Sequence, residues 1–385
     1  MSSFPIVTWT QDGETRSARW RSEGGSPPPR KLVIADDNTY TADAAYRLAC
    51  EGTALLWRGD FQNARQMLQA MARRADAKPR RVRGAPKPPA SMAEAFNRHR
   101  LAQSQRARVL ASVLIPVEAD YAIALRRAPD MREAFVEGWG PPDGASGGYA
   151  ASLRELLGLV GAHEWRKKGV PIPALDAHIH PHYGVFSPVR GEYIALVAAA
   201  ALPPGAEHLA FDVGTGTGVL AALLARRGVM RVIATDQDAR AIACARENIV
   251  RLGLTARIEV AQADMFPPGR AALIVCNPPW VPARPSSPLE HAIFDPDSRM
   301  LRAFLSGLAA HLEPGAEGWL ILSDLAEHLG LRTREDLLAL IDAGGLKVLG
   351  RSDMKPHHPK AFDASDPLHA ARKAEVTSLW RLAIA

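Results

Sequence analysis

The sequence contains few cysteines and no long apolar run. Among its 385 residues are three cysteines, Cys50, Cys244 and Cys276, and none of them belongs to a CxxC pair. Cysteines this far apart argue for a reducing compartment and against a structural zinc site. The most apolar stretch, residues 194–202, has about half the length that a membrane span requires. Residues 1–11 lack the basic start and apolar run of a secretion signal. We therefore expect a cytoplasmic protein without membrane contact.

The composition is that of a globular protein, but the positive charge is unevenly distributed. Apolar residues make up 47% and charged residues 23% of the chain, whose length fits two domains. The net charge is +6, yet residues 62–108 alone hold twelve Lys or Arg against Asp76 and Glu94, a local net charge of +10. So basic a segment predicts a polyanionic partner, either RNA or a ribosome or translation-factor assembly. A solvated basic linker is the alternative.

The first 170 residues are predicted to be flexible and then helical. Residues 1–30 are polar and end in a Gly/Ser/Pro run, which is typical of a flexible terminus. Apolar residues recur near a 3.6-residue period in 41–75, 92–137 and 151–165, with a Pro/Arg-rich linker at 78–89. We expect residues 31–170 to form a mostly α-helical, basic N-terminal domain that serves as a substrate-recognition module or a lid.

Residues 171–385 have a different pattern, in which short strand-like runs alternate with helical ones. Strands are predicted at 208–213, 231–235, 257–262, 273–276, 318–322, 347–350 and 375–382. Helices are predicted at 218–227, 238–252, 297–312 and 333–343. This alternation predicts an α/β domain, a Rossmann-like sheet of seven strands with helices on both faces.

A glycine-rich loop follows the first of these strands. The residues of the loop are Asp212, Gly214, Thr215, Gly216, Thr217 and Gly218, in a GxGxG pattern. Glycine lets a backbone approach a ligand and adopt positive φ, and the next helix presents free N–H groups. Such loops also bind dinucleotides, but there the usual spacing is GxGxxG. Asp212 is placed to meet the cationic end of a ligand.

Acidic residues end the next two strands. Asp236 lies 22 residues after Gly214, a position at which a carboxylate can accept hydrogen bonds from ribose hydroxyls. Asp264 follows the third strand, where it can accept a hydrogen bond from an adenine amino group. Each acid alone is compatible with a helix cap or a loop carboxylate. Three acids at successive strand ends predict a nucleoside cofactor, because ligands of open α/β sheets bind at that edge.

The fourth strand ends in Asn277, Pro278, Pro279 and Trp280. Together with the glycine loop and the acids, this motif resembles class I S-adenosylmethionine-dependent methyltransferases of the small-domain (N/D)PP(Y/F/W) type. It is similar to the release-factor glutamine-N5, rRNA guanine-N2 and adenine-N6 methyltransferases. The resemblance covers residues 180–385 and implies S-adenosyl-L-methionine as cofactor, with Asn277 to Trp280 as catalytic residues.

The chemistry of a planar nitrogen explains the residue types of this motif. The lone pair of an amide or aryl amine is conjugated and poorly nucleophilic. Acceptors on both N–H groups, the Asn277 side-chain oxygen and the Pro278 carbonyl, would pull the nitrogen toward a tetrahedral geometry. Prolines stiffen the segment, and Trp280 offers a flat face for a planar substrate. Asn277 would also contact the cofactor.

Upstream of the first strand, residues 183–192 are similar to a segment that lines the cofactor pocket in the same families. The resemblance assigns Phe186 and Pro188 to that pocket. The sequence has Ser-Pro-Val-Arg-Gly-Glu here where the glutamine enzymes have Pro-Arg-x-x-Thr-Glu, and Trp280 where they have tyrosine. Both departures weaken the expectation of a glutamine substrate.

Three further segments of the sequence contain polar residues that are candidates for a site. His178, His180 and His182 alternate, but no acid or cysteine cluster accompanies them, so we predict a surface hairpin and no metal, with substrate contact as the alternative. Asp297 is predicted to cap the helix at 297–312, with lining of the target pocket as the alternative. Residues 355–368, with His357 and His358, are a candidate for substrate contact.

The sequence favours methylation of a nitrogen in RNA or in a translation-associated protein. A small-molecule N-methyltransferase, with the N-terminal domain as a lid, is the nearest alternative. A non-catalytic, cofactor-binding RNA-binding protein and a nicotinamide dehydrogenase are the others.

Overall fold

The computed structural model describes residues 4–77, 87–145, 147–285, 290, 292–356 and 363–385. The chain divides into two compact units. The first contains residues 1–88 and 97–164, and the second contains residues 89–96 and 165–385. In the part of the chain that is described, no helix has the length and apolarity needed to cross a membrane.

The first unit is built around a sheet of six strands. These are β1 (Ile6–Gln11), β2 (Glu14–Arg21), β3 (Lys31–Ala35), β4 (Thr53–Trp57), β5 (Val113–Val117) and β6 (Tyr149–Ser152), in the order β1-β2-β6-β5-β4-β3. The accompanying helices are α1 (Ala42–Cys50), α2 (Phe61–Asp76), α3 (Met92–Leu110), α4 (Arg132–Trp139) and α5 (Leu153–Lys168). Strands β3, β4 and β5 run parallel, whereas β1 with β2 and β5 with β6 are antiparallel pairs.

The prediction of a mostly helical N-terminal domain was therefore wrong. All five residues of β4 are buried, and a fully buried strand shows no alternation that distinguishes it from a helical segment. Residues 6–21 form a hairpin in which Gln11 pairs with Glu14, although no element was predicted there. Asp12 and Gly13, both with positive φ, form its turn, and the Asp-Gly pair was the available indication.

The second unit contains the predicted seven-stranded sheet. Its strands are β9 (Leu209–Val213), β10 (Arg231–Asp236), β11 (Ile258–Gln262), β12 (Ala271–Cys276), β13 (Leu312–Ser323), β14 (Leu346–Met354) and β15 (Thr377–Ile384), after a hairpin of β7 (Val170–Ile172) and β8 (Ala177–Ile179). The order is β11-β10-β9-β12-β13-β15-β14. The first five strands are parallel, and β15 is antiparallel to both its neighbours. The predicted α/β fold of this region is confirmed.

Helices cover both faces of this sheet. They are α6 (Glu192–Ala199), α7 (Val219–Arg226), α8 (Ala239–Arg251), α9 (Arg299–His311), α10 (Leu325–His328), α11 (Arg334–Ala343) and α12 (His369–Ala374). Alternate residues of each strand point to opposite faces. Thus Ala210 packs in the core with α6 and α7, whereas Phe211 packs in the core with α9 and α11. The chain leaves β9 toward β10 on one side and returns through β12 on the other, which creates a crevice at their carboxyl ends.

Candidate active site

The glycine-rich loop lies in this crevice, between β9 and α7. Gly214, Gly216 and Gly218 have φ values of +73°, +54° and +82°, the left-handed region that side chains disfavour. A Cβ atom on Gly214 would also collide with the terminal methyl group of Met300. The GxGxG spacing is therefore required by the backbone of the loop.

Asp212 is the most buried acid at this edge. Its side chain is 1% exposed, and its Oδ2 atom accepts hydrogen bonds from Thr215 Oγ1 at 2.6 Å and from the Ala221 amide at 3.0 Å. Its Oδ1 atom is buried and has no hydrogen-bond partner among the described residues. Burial raises the pKa of Asp212 to about 6. The carboxylate thus lacks one donor or cation, which a ligand could supply.

The neighbouring threonines of the loop form hydrogen bonds within the protein. The Thr215 hydroxyl donates to Asp212 Oδ2, and the Thr217 backbone carbonyl accepts a hydrogen bond from Asn248 Nδ2 at 3.1 Å. Both threonines are buried. The cofactor contacts predicted for Thr215 and Thr217 stay predictions.

Asp236 lies at the end of β10 and is joined to the same loop. One carboxylate oxygen accepts from the Gly216 amide at 3.0 Å and the other from the Asp238 amide at 3.0 Å. Burial raises the pKa of Asp236 above its ordinary value. The structure thus brings together the predicted ribose acceptor and the glycine loop.

Asp264, by contrast, lies in the open. Its side chain is 59% exposed and forms an ion pair with Arg299 Nη2 at 2.8 Å. The adenine contact predicted for Asp264 stays a prediction, and it would have to share the carboxylate with Arg299.

The Asn-Pro-Pro-Trp segment begins level with the glycine loop. Cys276, the last residue of β12, pairs with Val213, so that Asn277 follows β12 where Gly214 follows β9. The indole N–H of Trp280 donates to Asn277 Oδ1 at 2.8 Å. This bond fixes which end of the Asn277 amide is oxygen, and that oxygen retains a second lone pair.

Trp280 has a neighbour that the sequence did not indicate. The Arg190 guanidinium lies over the indole ring, 5.1 Å from its centroid. Arg190 Nη2 also donates to Glu375 Oε1 at 3.1 Å, and the same oxygen accepts from Ser323 Oγ at 2.7 Å. The indole face that Arg190 covers is not open to a planar substrate, so any stacking would use the other face or the ring edge.

Phe186 and Pro188 lie on the side of the sheet that α6 and α7 cover. Phe186 packs against the core that includes α6 and α7. Pro188 lines an apolar groove of 450 Å³ together with Ile172 and Ile194. Their assignment to the cofactor pocket remains an expectation from the resemblance.

The alternating histidines belong to the β7–β8 hairpin and the segment after it. His180 Nδ1 lies 2.6 Å from the Arg166 carbonyl, and His182 Nε2 lies 2.7 Å from Glu247 Oε2. Within the described ranges, no group of three or more His, Cys, Asp or Glu could hold a metal ion. These two histidines have protein partners, so hydrogen bonding accounts for their placement.

The cap of α9 is supplied by a different residue from the one predicted. Asp295 Oδ2 accepts from the amides of Met300 at 2.9 Å and Leu301 at 3.3 Å. Asp297 makes no such bond and has a positive φ of 57°, as does Ser298 with 53°. The left-handed turn moves Asp297 away from the helix end. Of the candidate substrate loop at 355–368, residues 357–362 with His357 and His358 lie outside the described residues.

Comparison with known proteins shows which proteins the second unit is similar to. Residues 176–322 match the family model of the methyltransferase small domain. The chain is 36% identical over 171 residues to a release factor glutamine methyltransferase of Cereibacter sphaeroides, covering 41% of this chain and 58% of the relative. It is 37% identical over 212 residues to a ribosomal protein L11 methyltransferase of Sorangium cellulosum, covering 49% and 60%. It is 29% identical over 158 residues to a ribosomal RNA small subunit methyltransferase C of Alcanivorax borkumensis, covering 40% and 45%.

The chain spans about six tenths of the length of the first two relatives. The family to which the second unit is similar is thus a class of methyltransferases, and the match covers residues 176–322.

The site residues fit the cofactor of this class. S-adenosylmethionine carries a cationic ammonium and a sulfonium, and the buried Oδ1 atom of Asp212 lacks a partner. The left-handed glycines add no side chain at three positions of the loop, and Asp236 lies beside Gly216. Asp212, Asp236 and the loop backbone are thus the groups that would hold the cofactor.

Proposed function

We propose that this protein is an S-adenosylmethionine-dependent N-methyltransferase that modifies a planar nitrogen, an exocyclic amino group of a nucleobase in RNA. One observation carries the proposal. The Asn277 amide lies at the strand end beside the glycine loop, and the Trp280 indole orients it.

The protein's part in the reaction is to position and polarise the acceptor. The cofactor supplies an electrophilic methyl group. Asn277 Oδ1 and the Pro278 carbonyl would each accept a hydrogen bond from the amino group, which makes its lone pair available. Because Trp280 occupies one lone pair of Asn277 Oδ1, the other is left for the acceptor. Burial raises the pKa of the adjacent Cys276 thiol well above its ordinary value, which disfavours a covalent route through it.

Two lines support RNA as the acceptor. One relative is a ribosomal RNA methyltransferase, and another is named as a tRNA adenine-N6-methyltransferase, 38% identical over 90 residues and covering 22% of this chain and 38% of the relative. The second line is the basic segment 62–108. Within its described part, Arg74 forms an ion pair with Asp43, and Arg106 forms one with Asp76, which reduces the charge that is available to a polyanion. We therefore place more weight on the relatives than on the charge.

A glutamine amide in a translation-associated protein is the second candidate. It is supported by the 36% identity to a release factor glutamine methyltransferase. The same two acceptors would serve an amide nitrogen, so the motif alone does not separate the two substrates.

The test is transfer of tritiated methyl groups from S-adenosylmethionine to fractionated RNA, ribosomes and translation factors. We expect label in RNA, at an amino group identified by nucleoside mass spectrometry, and none with Asn277→Ala. Label confined to protein glutamine would favour the second candidate. Label confined to small molecules would contradict both and point to a small-molecule enzyme.

A further inference from the structure

A cavity of 680 Å³ lies in the second unit beyond the Asn-Pro-Pro-Trp segment. Pro282, two residues after Trp280, forms part of its wall. Leu331 and Leu340 add apolar surface, and the start of α9 adds Arg299 and Arg302. A volume of this size falls in the range of small-molecule sites, which is about 300–1,000 Å³. It is also much larger than a single inorganic anion.

Arg332 lines the same cavity and has two buried guanidinium nitrogens without a partner. The residue is 7% exposed, and its Nε and Nη2 atoms have no hydrogen-bond partner among the described residues. Burial is the main cause that lowers the pKa of Arg332, and the carboxylates of Glu327, Asp295 and Asp336 partly offset it. Unsatisfied donors on a buried guanidinium cost free energy in the free protein, and an anion in the cavity would supply acceptors for them.

Two exposed arginines contribute further donors to the cavity. Arg299 gives Nη2 to Asp264, and Arg302 gives Nε to the Asp297 carbonyl at 3.0 Å. Each guanidinium has other N–H groups besides the one it gives. The lining therefore retains donors after its internal bonds are made.

Two carboxylates also line the cavity, those of Asp297 and Asp336. Asp336 is held by the Thr333 amide at 2.8 Å in the cap of α11. Outside the lining, Asp264 pairs with Arg299, and the carboxylates of Glu327 and Asp295 act on Arg332. The preference for an anionic ligand therefore depends on the unpartnered donors of Arg332 and not on the net charge of its surroundings.

We propose that this cavity binds a nucleotide of the RNA substrate next to the methyl acceptor, with its phosphate on Arg332. The inference rests on the proposed function. Arginine matches phosphate oxygens in a planar, two-bond geometry. Pro282, Leu331 and Leu340 provide an apolar wall for the base or ribose. A flat base joined to a phosphate uses both parts of the lining, whereas a lone carboxylate would use only the arginines.

The experiment measures binding of a labelled, short single-stranded RNA in the presence of S-adenosylhomocysteine. The variants are Arg332→Met, Arg332→Lys and Arg302→Met. Arg270→Met is the control, because Arg270 is exposed at the amino end of β12, opposite the site. Arg302 is exposed too, so its variant opens no buried position and remains informative if Arg332→Met does not fold. Stabilisation by S-adenosylhomocysteine in a thermal shift reports an intact cofactor site.

We expect Arg332→Met to weaken RNA binding about 10- to 100-fold, Arg332→Lys and Arg302→Met less, and Arg270→Met within about twofold. An unchanged affinity in Arg332→Met and Arg302→Met would overturn the inference, as would an equal loss with Arg270→Met. Weakened binding of an acidic peptide with unchanged RNA binding would overturn it in favour of a protein substrate.

The methyl-transfer assay separates this inference from the proposed function. If wild type methylates RNA and Arg332→Met leaves KM unchanged, the nucleotide site is wrong while the activity stands. If wild type binds RNA through Arg332 but transfers no methyl group to it, the binding site stands and the proposed acceptor is wrong.

Discussion

Each of the two sheets has a buried aspartate near the carboxyl end of a parallel strand. The two aspartates differ in how completely their carboxylates are hydrogen-bonded. Asp60, after β4 in the first unit, has a side chain that is 0% exposed. It accepts hydrogen bonds from Arg127 at 2.6 and 2.9 Å, from Arg126 at 3.0 Å and from the Gln62 amide at 2.8 Å. Asp212, on β9 in the second unit, is equally buried but keeps one oxygen without a partner among the described residues.

The pKa values of the two groups reflect this difference. Hydrogen bonds from Arg127 are the main cause that lowers the pKa of Asp60 to about 2, whereas burial raises that of Asp212 to about 6. A buried carboxylate whose partners lie within the chain stabilises the fold. A buried carboxylate with an oxygen that lacks a partner lowers the stability of the free protein, and that oxygen can bind a cationic ligand. Burial alone does not distinguish a carboxylate that stabilises the fold from one that binds a ligand. The hydrogen-bond partners of the carboxylate make this distinction.

The largest effect is expected at Asn277, the proposed acceptor for the substrate nitrogen. Asn277→Ala should lower kcat about 100- to 1,000-fold, because one acceptor for the substrate nitrogen is lost. The melting temperature should change little, and S-adenosylhomocysteine affinity should fall much less than kcat. Asp60→Asn should do the reverse and lower the melting temperature with kcat retained. Asn277→Asp, which keeps an acceptor oxygen, is the control and should retain more activity than Asn277→Ala. Equal activity of Asn277→Ala and wild type would refute the catalytic role.

Replacing the two aspartates tests the comparison directly. Asp212→Asn should weaken S-adenosylhomocysteine binding about 10- to 100-fold, since it removes a charge that would meet the ligand's ammonium. The melting temperature of the free protein should not fall at neutral pH and should rise, because the variant lacks the buried charge that costs stability above the folded pKa of Asp212. Asp60→Asn should lower that temperature by several degrees and leave the cofactor affinity unchanged, because its loss leaves Arg126 and Arg127 without their shared partner. Calorimetric titration measures the cofactor affinity, and thermal unfolding measures the melting temperature. If the two variants changed these quantities in the same way, the distinction between a binding and a structural aspartate would be wrong.

The pH dependence of stability should have opposite signs at the two positions. For Asp212, the folded pKa of about 6 lies above the ordinary 3.8, so the folded state holds its proton longer and the free energy of unfolding falls as pH rises between these values. For Asp60, the folded pKa of about 2 lies below 3.8, so the free energy of unfolding rises over that lower range. The difference in melting temperature between wild type and each Asn variant, measured at several pH values, gives the contribution of each aspartate to stability. The same sign for both would contradict the assignment.

The sequence predicted the second unit far better than the first, for physical reasons. In the second unit, most strands are separated from the next by a helix with its own 3.6-residue period, and all seven strands were predicted. In the first, β4 is a short apolar run next to helical segments, and β5 lies within residues 92–137, for which a helical period was predicted. Periodicity carries no information for buried runs of five residues.

Local motifs predicted the candidate site residues that lie at strand ends, and they did not indicate the residues that reach the site from distant segments. Asp212, Asp236 and Asn277 were predicted because each belongs to a motif at a strand end, and the structure places all three at the same edge of the sheet. Arg190 reaches Trp280 from a segment 90 residues earlier, and Arg332 enters its cavity from the turn before α11. No sequence pattern marks such residues, since only the folded chain brings them to the site.

The smallest effect concerns two tryptophans of the second unit. Like the two aspartates, they differ in whether their hydrogen-bond partner belongs to the fold or to the candidate site. The Trp319 indole donates to Glu317 Oε2 at 2.9 Å and is fully buried, so its partner belongs to the fold. The Trp280 indole donates to Asn277, so its partner belongs to the site. Trp280→Phe should therefore lower kcat about 10-fold with little loss of stability. Trp319→Phe should lower the melting temperature and leave kcat unchanged. A Trp280→Phe enzyme with wild-type kcat would mean that Asn277 is oriented by the rigid Pro278-Pro279 backbone alone.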